Sequence, residues 1–215
     1  MSRARSEGTV TTADAVASLL RSAVLSGKLP PGTHLRETEL ASRHGVARHT
    51  VRAAIASLVG AGLVVHEANR GAFVRIPDAR SGEDLFRFRR VLETGALRLA
   101  ISTGSSFAQA AGALSRMRLL SPSTPWDVVT VAHAEIHRGI VEAADSARLT
   151  AAYGLLLAEL QLFLTTVRPS YTLASLIRSH DHLLDEISSG DSTRAAEALE
   201  RDLADGQAAL REALR

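Results

Sequence analysis

The stretch "VAHAEIHRGI", residues 131–140, sets His133 and His137 four positions apart. At about 3.6 residues per turn, positions i and i+4 stack on one helix face, so both imidazoles point the same way and can share a ligand. Val129, Ile136, Ile140 and Val141 fall on that side, which makes it the inward face. Two chemistries suit inward imidazoles. Each can donate to a carbonyl as a satisfied core group, or the pair can ligate a metal with partners from other helices. The chain has no cysteine, so thiolate sites, disulfides and cysteine nucleophiles are excluded, and any ion must be held by histidine and carboxylate.

Two more inward polar residues qualify. Over 173–189 the apolar stripe is Leu173, Leu176, Ile177, Leu183, Leu184 and Ile187, with His180 in its middle. His182 shares its side with Arg178, Ser179, Asp185 and Glu186 and is expected in solvent. Over 191–213 the stripe is Ala195, Leu199, Gly206, Ala209 and Leu210, and Asp202 sits within it. Three helices thus turn His133, His137, His180 and Asp202 toward a common interior. Nitrogen and oxygen donors suit a divalent metal: zinc, nickel, manganese or iron. Four protein ligands would fill a tetrahedral zinc site, whereas an octahedral ion would keep two positions for water or a carboxylate.

Arg89 lies near Leu85, Leu92 and Ala96, where it can clamp a carboxylate bidentately or pair with Glu93 four residues on. Trp126, the only tryptophan, reads as a core or helix-start anchor. Enzyme chemistry has little support. There is no glycine-rich phosphate loop and no nucleophile motif, and "HAEIH" lacks the glutamate directly after the first histidine that zinc proteases use. A metal-dependent hydrolase would need a general base beside the ion, and Glu135 is turned away from the histidine face.

The elements that must position these residues are helices. From Gly82 onward only helical periods occur, over about 82–103, 106–120, 126–144, 146–168, 173–189 and 191–213. "STGSS", "SPSTP", an Asp145 cap, "RPSY" and "SSGD" break them. The expectation is an all-α antiparallel helical bundle over residues 79–215.

Residues 1–78 read differently. "TTADAVASLLRSAVLSGKLPPG" is a helix capped at Thr11 or Thr12 and ended at Gly27. A short helix from about Arg36 to His44, a Gly45 turn and a helix from about Ala47 to Gly60 make a helix-turn-helix. "LVVHEANRGAFVRI" is two short β-runs about a polar turn, a hairpin wing. The predicted fold class is therefore mainly α: an N-terminal winged helix-turn-helix with a small β-hairpin wing, then the bundle.

Charge separates the two parts. Residues 1–80 hold 11 Lys and Arg against 6 Asp and Glu, net +5, whereas residues 81–215 hold 14 against 17, net −3. A basic first third suits a polyanion. Arg48, His49, Thr50 and Arg52 open the third helix, where side chains reach bases and helix N–H groups favour phosphate. Arg36 and Arg43 flank them, and Arg70 and Gly71 tip the wing, so the candidate partner is double-stranded DNA. No run approaches the roughly 18 uninterrupted apolar residues of a membrane span, and "MSRARSEGTV" lacks the apolar segment of a secretory signal. A soluble, cytoplasmic protein with no membrane partner is expected.

The segment "LSGKLPPGTHLRETELASRHGVARHTVRAAIASLVGAGLV", followed by "RGAFV", resembles the GntR family of bacterial transcription regulators. Pro31-Gly32, Leu35, Leu40-Ala41, Gly45-Val46, Arg48, Val51-Arg52, Leu58, Gly62-Leu63 and Arg70-Gly71 sit at its spacing. Ala47 stands where serine or threonine is usual, and His49-Thr50 where threonine-proline is common. The helical region is similar to the ligand-binding (FCD) domain of the FadR subfamily: "DLFRFRRVLETGALRLA" resembles its opening helix and "HDHLLDEISSGDSTRAAEALERDL" its closing pair. In many members an aspartate, a histidine four later, a histidine on the next-to-last helix and one on the last bind a divalent metal. The matching positions here are His133, His137, His180 and Asp202, so the aspartate and one histidine have exchanged places while the donor inventory is kept. The resemblance also matches Arg89 to an arginine that can face the pocket. It implies a homodimeric repressor on a pseudo-palindromic operator, with a small carboxylate as effector. A purely structural metal, or none, is the alternative.

Overall fold

The computed structural model describes residues 11–166 and 170–215. The expected helix end near residue 168 and the first half of the "RPSY" break lie outside them. The chain divides into two compact units, Met1–Ile76 and Pro77–Arg215.

The first unit holds α1 (Thr12–Leu25), α2 (Glu37–His44), α3 (Arg48–Gly60), β1 (Val64–Glu67) and β2 (Gly71–Val74). Thr11 caps α1 in a reciprocal box with Asp14. Gly45, at φ 64°, ends α2 in the left-handed conformation that the helix-turn-helix bend requires. The strands pair antiparallel, Val64 opposite Val74 and Glu67 opposite Gly71. Val16, Leu20, Val51, Ile55, Leu58 and Val74 bury the common core and hold α3 against α1 and the wing.

The second unit is helical throughout its described residues: α4 (Ala79–Ser102), α5 (Ala108–Arg118), α6 (Trp126–Glu142), α7 (Ala147–Thr166), α8 (Leu173–Ser188) and α9 (Ser192–Ala213). α4 packs along α9, and α6 lies between α5 and α7. The closest approach is at Gly139 of α6, where a Cβ would stand 2.4 Å from the Ala110 amide nitrogen of α5. α6 and α8 carry the buried stripes read from the sequence, including Ile136, Ile140, Leu183 and Ile187.

Two local expectations need correction. α4 starts at Ala79 rather than near Gly82, because the Asp78 carboxylate accepts from the Ser81 amide and caps the helix earlier. Asp145 does not cap α7. It sits in the left-handed region at φ 47°, and the Ser146 hydroxyl accepts from the Leu149 amide instead.

Candidate functional site

α6 supplies His133 and His137, α8 His180 and α9 Asp202, and these side chains meet inside the second unit. The three imidazoles pack edge to face with ring centres 4.7–5.1 Å apart, and one ligand-capable atom from each lies within 4.8 Å of the others. Asp202 Oδ2 is 3.4 Å from His137 Nε2, and Oδ1 is 3.9 Å from His180 Nε2. His182 is exposed on the far side of α8.

Hydrogen bonding decides which nitrogens carry protons. His180 Nδ1 is 2.7 Å from the Leu176 carbonyl, which can only accept, so Nδ1 donates. His137 Nδ1 is 2.9 Å from Glu93 Oε2. Burial alone would raise the Glu93 carboxyl, but Arg89 and His137 outweigh it and hold Glu93 below its ordinary range. It is therefore an ionised acceptor, and His137 Nδ1 also donates. With Nδ1 committed as the donor, a neutral ring keeps only the Nε2 lone pair, and the two Nε2 atoms are 3.1 Å apart. Two lone pairs at that distance repel unless an electrophile lies against both. A proton is disfavoured on His180, which burial and neighbouring His137 keep below its usual pKa although Asp202 pulls the other way. His133 is pushed well below its usual pKa by burial and by His180, His137 and Arg89, and its Nδ1 is buried without a hydrogen-bond partner. Burial would raise Asp202, but His180, His137 and the Ser179 hydroxyl, which donates to Oδ1 at 2.9 Å, keep it ionised. Three clustered imidazoles beside an ionised carboxylate fit a divalent cation. Tetrahedral zinc with Zn–N of about 2.0–2.1 Å sets its nitrogens about 3.3 Å apart, and cis positions of an octahedron are slightly closer. The 3.1 Å pair suits either.

Arg89 makes the ion pair with Glu93 and also lines a cavity. Nε donates to Glu93 Oε1 at 2.7 Å with both residues buried, while Nη2 is buried without a hydrogen-bond partner. Arg89 lines a cavity of about 190 Å³ with Phe86, Trp126, Tyr171, His133 and Asp202. Trp126 opens α6 and donates through Nε1 to the Leu164 carbonyl at 3.0 Å, so it anchors the helix and walls the cavity together. Burial, with Asp202 and Asp205, pushes the Tyr171 hydroxyl up to about 12.

Glu93 and Ser179 contact the clustered residues in ways that sequence reasoning missed. Glu93 was legible as a partner of Arg89 by its spacing, but its bond to His137 joins residues 44 apart. Ser179 reads as solvated from the pattern on α8, yet its hydroxyl reaches across to α9.

In the first unit Arg48, His49 and Thr50 open α3. Ala47 provides no side-chain cap there, so no side chain competes for the first amides. Arg48 and Arg52 are mostly exposed, at 63% and 65%. Glu37 of α2 accepts from Arg52 in a bidentate pair at 2.8 and 2.9 Å and stands 3.8 Å from Arg48. Arg36 pairs with Glu39 and Arg70 with Glu67, and exposed Arg43 adjoins the turn. Gly71, at φ 99°, leaves room that a Cβ would deny, because His34 Nε2 would be 2.8 Å away. His34 in turn stacks on Phe73, whose other neighbour is the Arg70 guanidinium.

The family model described as "FCD domain" matches residues 84–205, and the one described as "Bacterial regulatory proteins, gntR family" matches residues 12–74. The "Probable D-xylose utilization operon transcriptional repressor" of Paenarthrobacter nicotinovorans is 28% identical over 195 residues, 90% of this chain and 86% of that one. The regulator BphR of Paraburkholderia xenovorans is 32% identical over 136 residues, 60% of this chain and 56% of its own. A crystal structure of a GntR transcriptional regulator from Rhodococcus sp. RHA1 superposes with a TM-score of 0.81 at 26% identity, covering 94% of this chain and 99% of that one.

Proposed function

Because the chain belongs to the GntR family of bacterial regulatory proteins, with an FCD domain after its winged helix, we propose that it is a repressor that senses a small organic acid at a bound divalent metal. That it regulates transcription, and is not an enzyme, follows from the family and its relatives. The finer reading rests on one observation: the Nε2 atoms of His137 and His180 face each other at 3.1 Å, with both Nδ1 atoms committed as donors. His133, His137, His180 and Asp202 would hold the ion. When bound, it supplies a Lewis-acidic anchor for an oxygen ligand. Arg89 offers its cavity-lining side chain to the acid's second oxygen, and Glu93 fixes both the guanidinium and the His137 tautomer. The adjoining cavity favours a sensing role over a closed structural site.

In the DNA-binding unit, Arg48, His49, Thr50 and Arg52 are assigned to the major groove, Arg36 and Arg43 to the flanking backbone, and Arg70 and Gly71 to the wing's contact. The chain works on its operator as a homodimer in the cytoplasm, and the FCD domain is the ground for placing it in the FadR subfamily. Support for the dimer comes from α4 and α7, which pack on each other and leave Phe88, Val91, Leu99 and Leu155 exposed, Val91 at 74% and Leu155 at 68%. α7 is long and apolar enough to cross a membrane by composition, yet only 28% of its apolar window is buried. A second copy of the chain would cover that surface.

The test is calorimetric titration of chelator-stripped protein with zinc, nickel, manganese and ferrous ions, beside the same titration of His137→Ala. Saturable binding near one ion per chain, lost in the variant, is expected. Absence of binding by all four would return the histidines to the status of hydrogen-bonded core groups.

A further inference from the structure

The cavity beside the metal-ligand cluster has a chemistry narrower than "organic acid". We infer that its ligand is a compact monocarboxylate with a ring-sized apolar body, and that polyols, sugar acids and polycarboxylates are poor ligands. This deepens the metal-and-acid reading and rests on it for the position of the carboxylate.

Three observations carry it. The first is size. A cavity of about 150 Å³ accommodates benzene, so the 190 Å³ here holds a ring and one carboxyl group but little more. The second is charge. Among the described residues lining the cavity, Arg89 is the one permanent cation, while Asp202 and Asp205 are both acidic. One carboxylate finds the Arg89 side chain, which lines the cavity. A second would face carboxylates or the apolar wall of Phe86, Leu164 and Leu176. The third is that three of the polar wall groups are already committed. The Thr130 hydroxyl donates to the Asp127 carbonyl at 2.8 Å, the Ser179 hydroxyl to Asp202 at 2.9 Å and the Trp126 indole to the Leu164 carbonyl at 3.0 Å. A sugar or sugar acid brings several hydroxyls, each a donor and an acceptor, and most would enter unpaired.

Trp126 is the only tryptophan in the chain and lines the cavity, so its fluorescence reads occupancy directly. The experiment titrates the full-length protein, zinc-loaded and separately chelator-stripped, with benzoate, phenylacetate, cyclohexanecarboxylate, acetate, citrate, D-gluconate and D-xylose. Tryptophan emission and Tm are followed. At least one ring acid should bind about tenfold or more tighter than citrate, gluconate and xylose. Arg89→Gln should abolish that preference. Because this change leaves Glu93 buried without its partner, Leu176→Phe serves as a second variant. It fills the apolar wall and should weaken the ring acids but not acetate, with zinc binding unchanged. Equal or tighter binding of citrate, gluconate or xylose overturns the inference, as does failure of all three ring acids on a protein that takes up zinc. A flat zinc titration overturns the metal reading by itself, and the acid series on stripped protein then still decides the ligand class through Arg89.

Discussion

Glu93 meets two groups at once, Arg89 through Oε1 and His137 through Oε2, and all three are buried. A metal-bound histidine depends on the acceptor behind it for tautomer and orientation. Glu93→Gln should lower metal affinity roughly 10- to 100-fold, measured by competition with a chromophoric chelator. It also removes the countercharge of a buried guanidinium, so a loss of about 3–5 kcal/mol in folding stability is expected by denaturant titration. In the DNA-binding unit, Glu37 holds Arg52 bidentately and leaves Arg48 more loosely tied at 3.8 Å. Arg48→Ala is therefore expected to cost about 1–3 kcal/mol of operator affinity by gel shift or anisotropy. An unchanged affinity would remove the amino end of α3 from the interface.

At the scale of elements, the site depends on how closely α6 can approach its neighbours. A Cβ at Gly139 would lie 2.4 Å from the Ala110 nitrogen and 2.7 Å from its Cα, backbone atoms that cannot step aside. Gly139→Ala should destabilise the protein by about 1–3 kcal/mol, since inserting a methyl forces the two helices apart. Gly112→Ala is the control. It is also in a helix, but its nearest contact is the flexible Arg116 Nη1 at 3.4 Å, so a neutral or slightly stabilising change in Tm is expected. Helix positions were readable because their apolar stripes repeat with the helical period. Their ends were less so. Asp78 and Ser146 act as caps through local side-chain contacts, and several nearby residues could have done the same.

For the whole molecule, assembly is the open quantity that can be measured. If the apolar residues of α4 and α7 pair two copies, Val91→Asp combined with Leu155→Asp should convert a dimer into a monomer by light scattering, with the far-ultraviolet circular dichroism retained. The same variant should lose protection of the second half-site in a footprint, because two recognition helices on one DNA face need a two-fold partner. A monomeric wild-type protein protecting one half-site would contradict both.

The GntR-type winged helix was legible at single-residue level, because a helix-turn-helix is a local structure whose turn glycine, apolar spacing and basic helix start lie within about 30 consecutive residues. The inward faces of His133, His137, His180 and Asp202 were legible for the same reason, since each follows from the period of its own helix. Their meeting was not. Residues on α6, α8 and α9 are brought to one depth by packing that no single period encodes, and the decisive facts are distances between helices: 3.1 Å between two Nε2 atoms and 2.9 Å from His137 to Glu93. Likewise, spacing offered Arg89 either an ion pair or a cavity. Only the tertiary structure could give it both, because Glu93 holds Nε while neighbouring helices close a cavity against the same side chain.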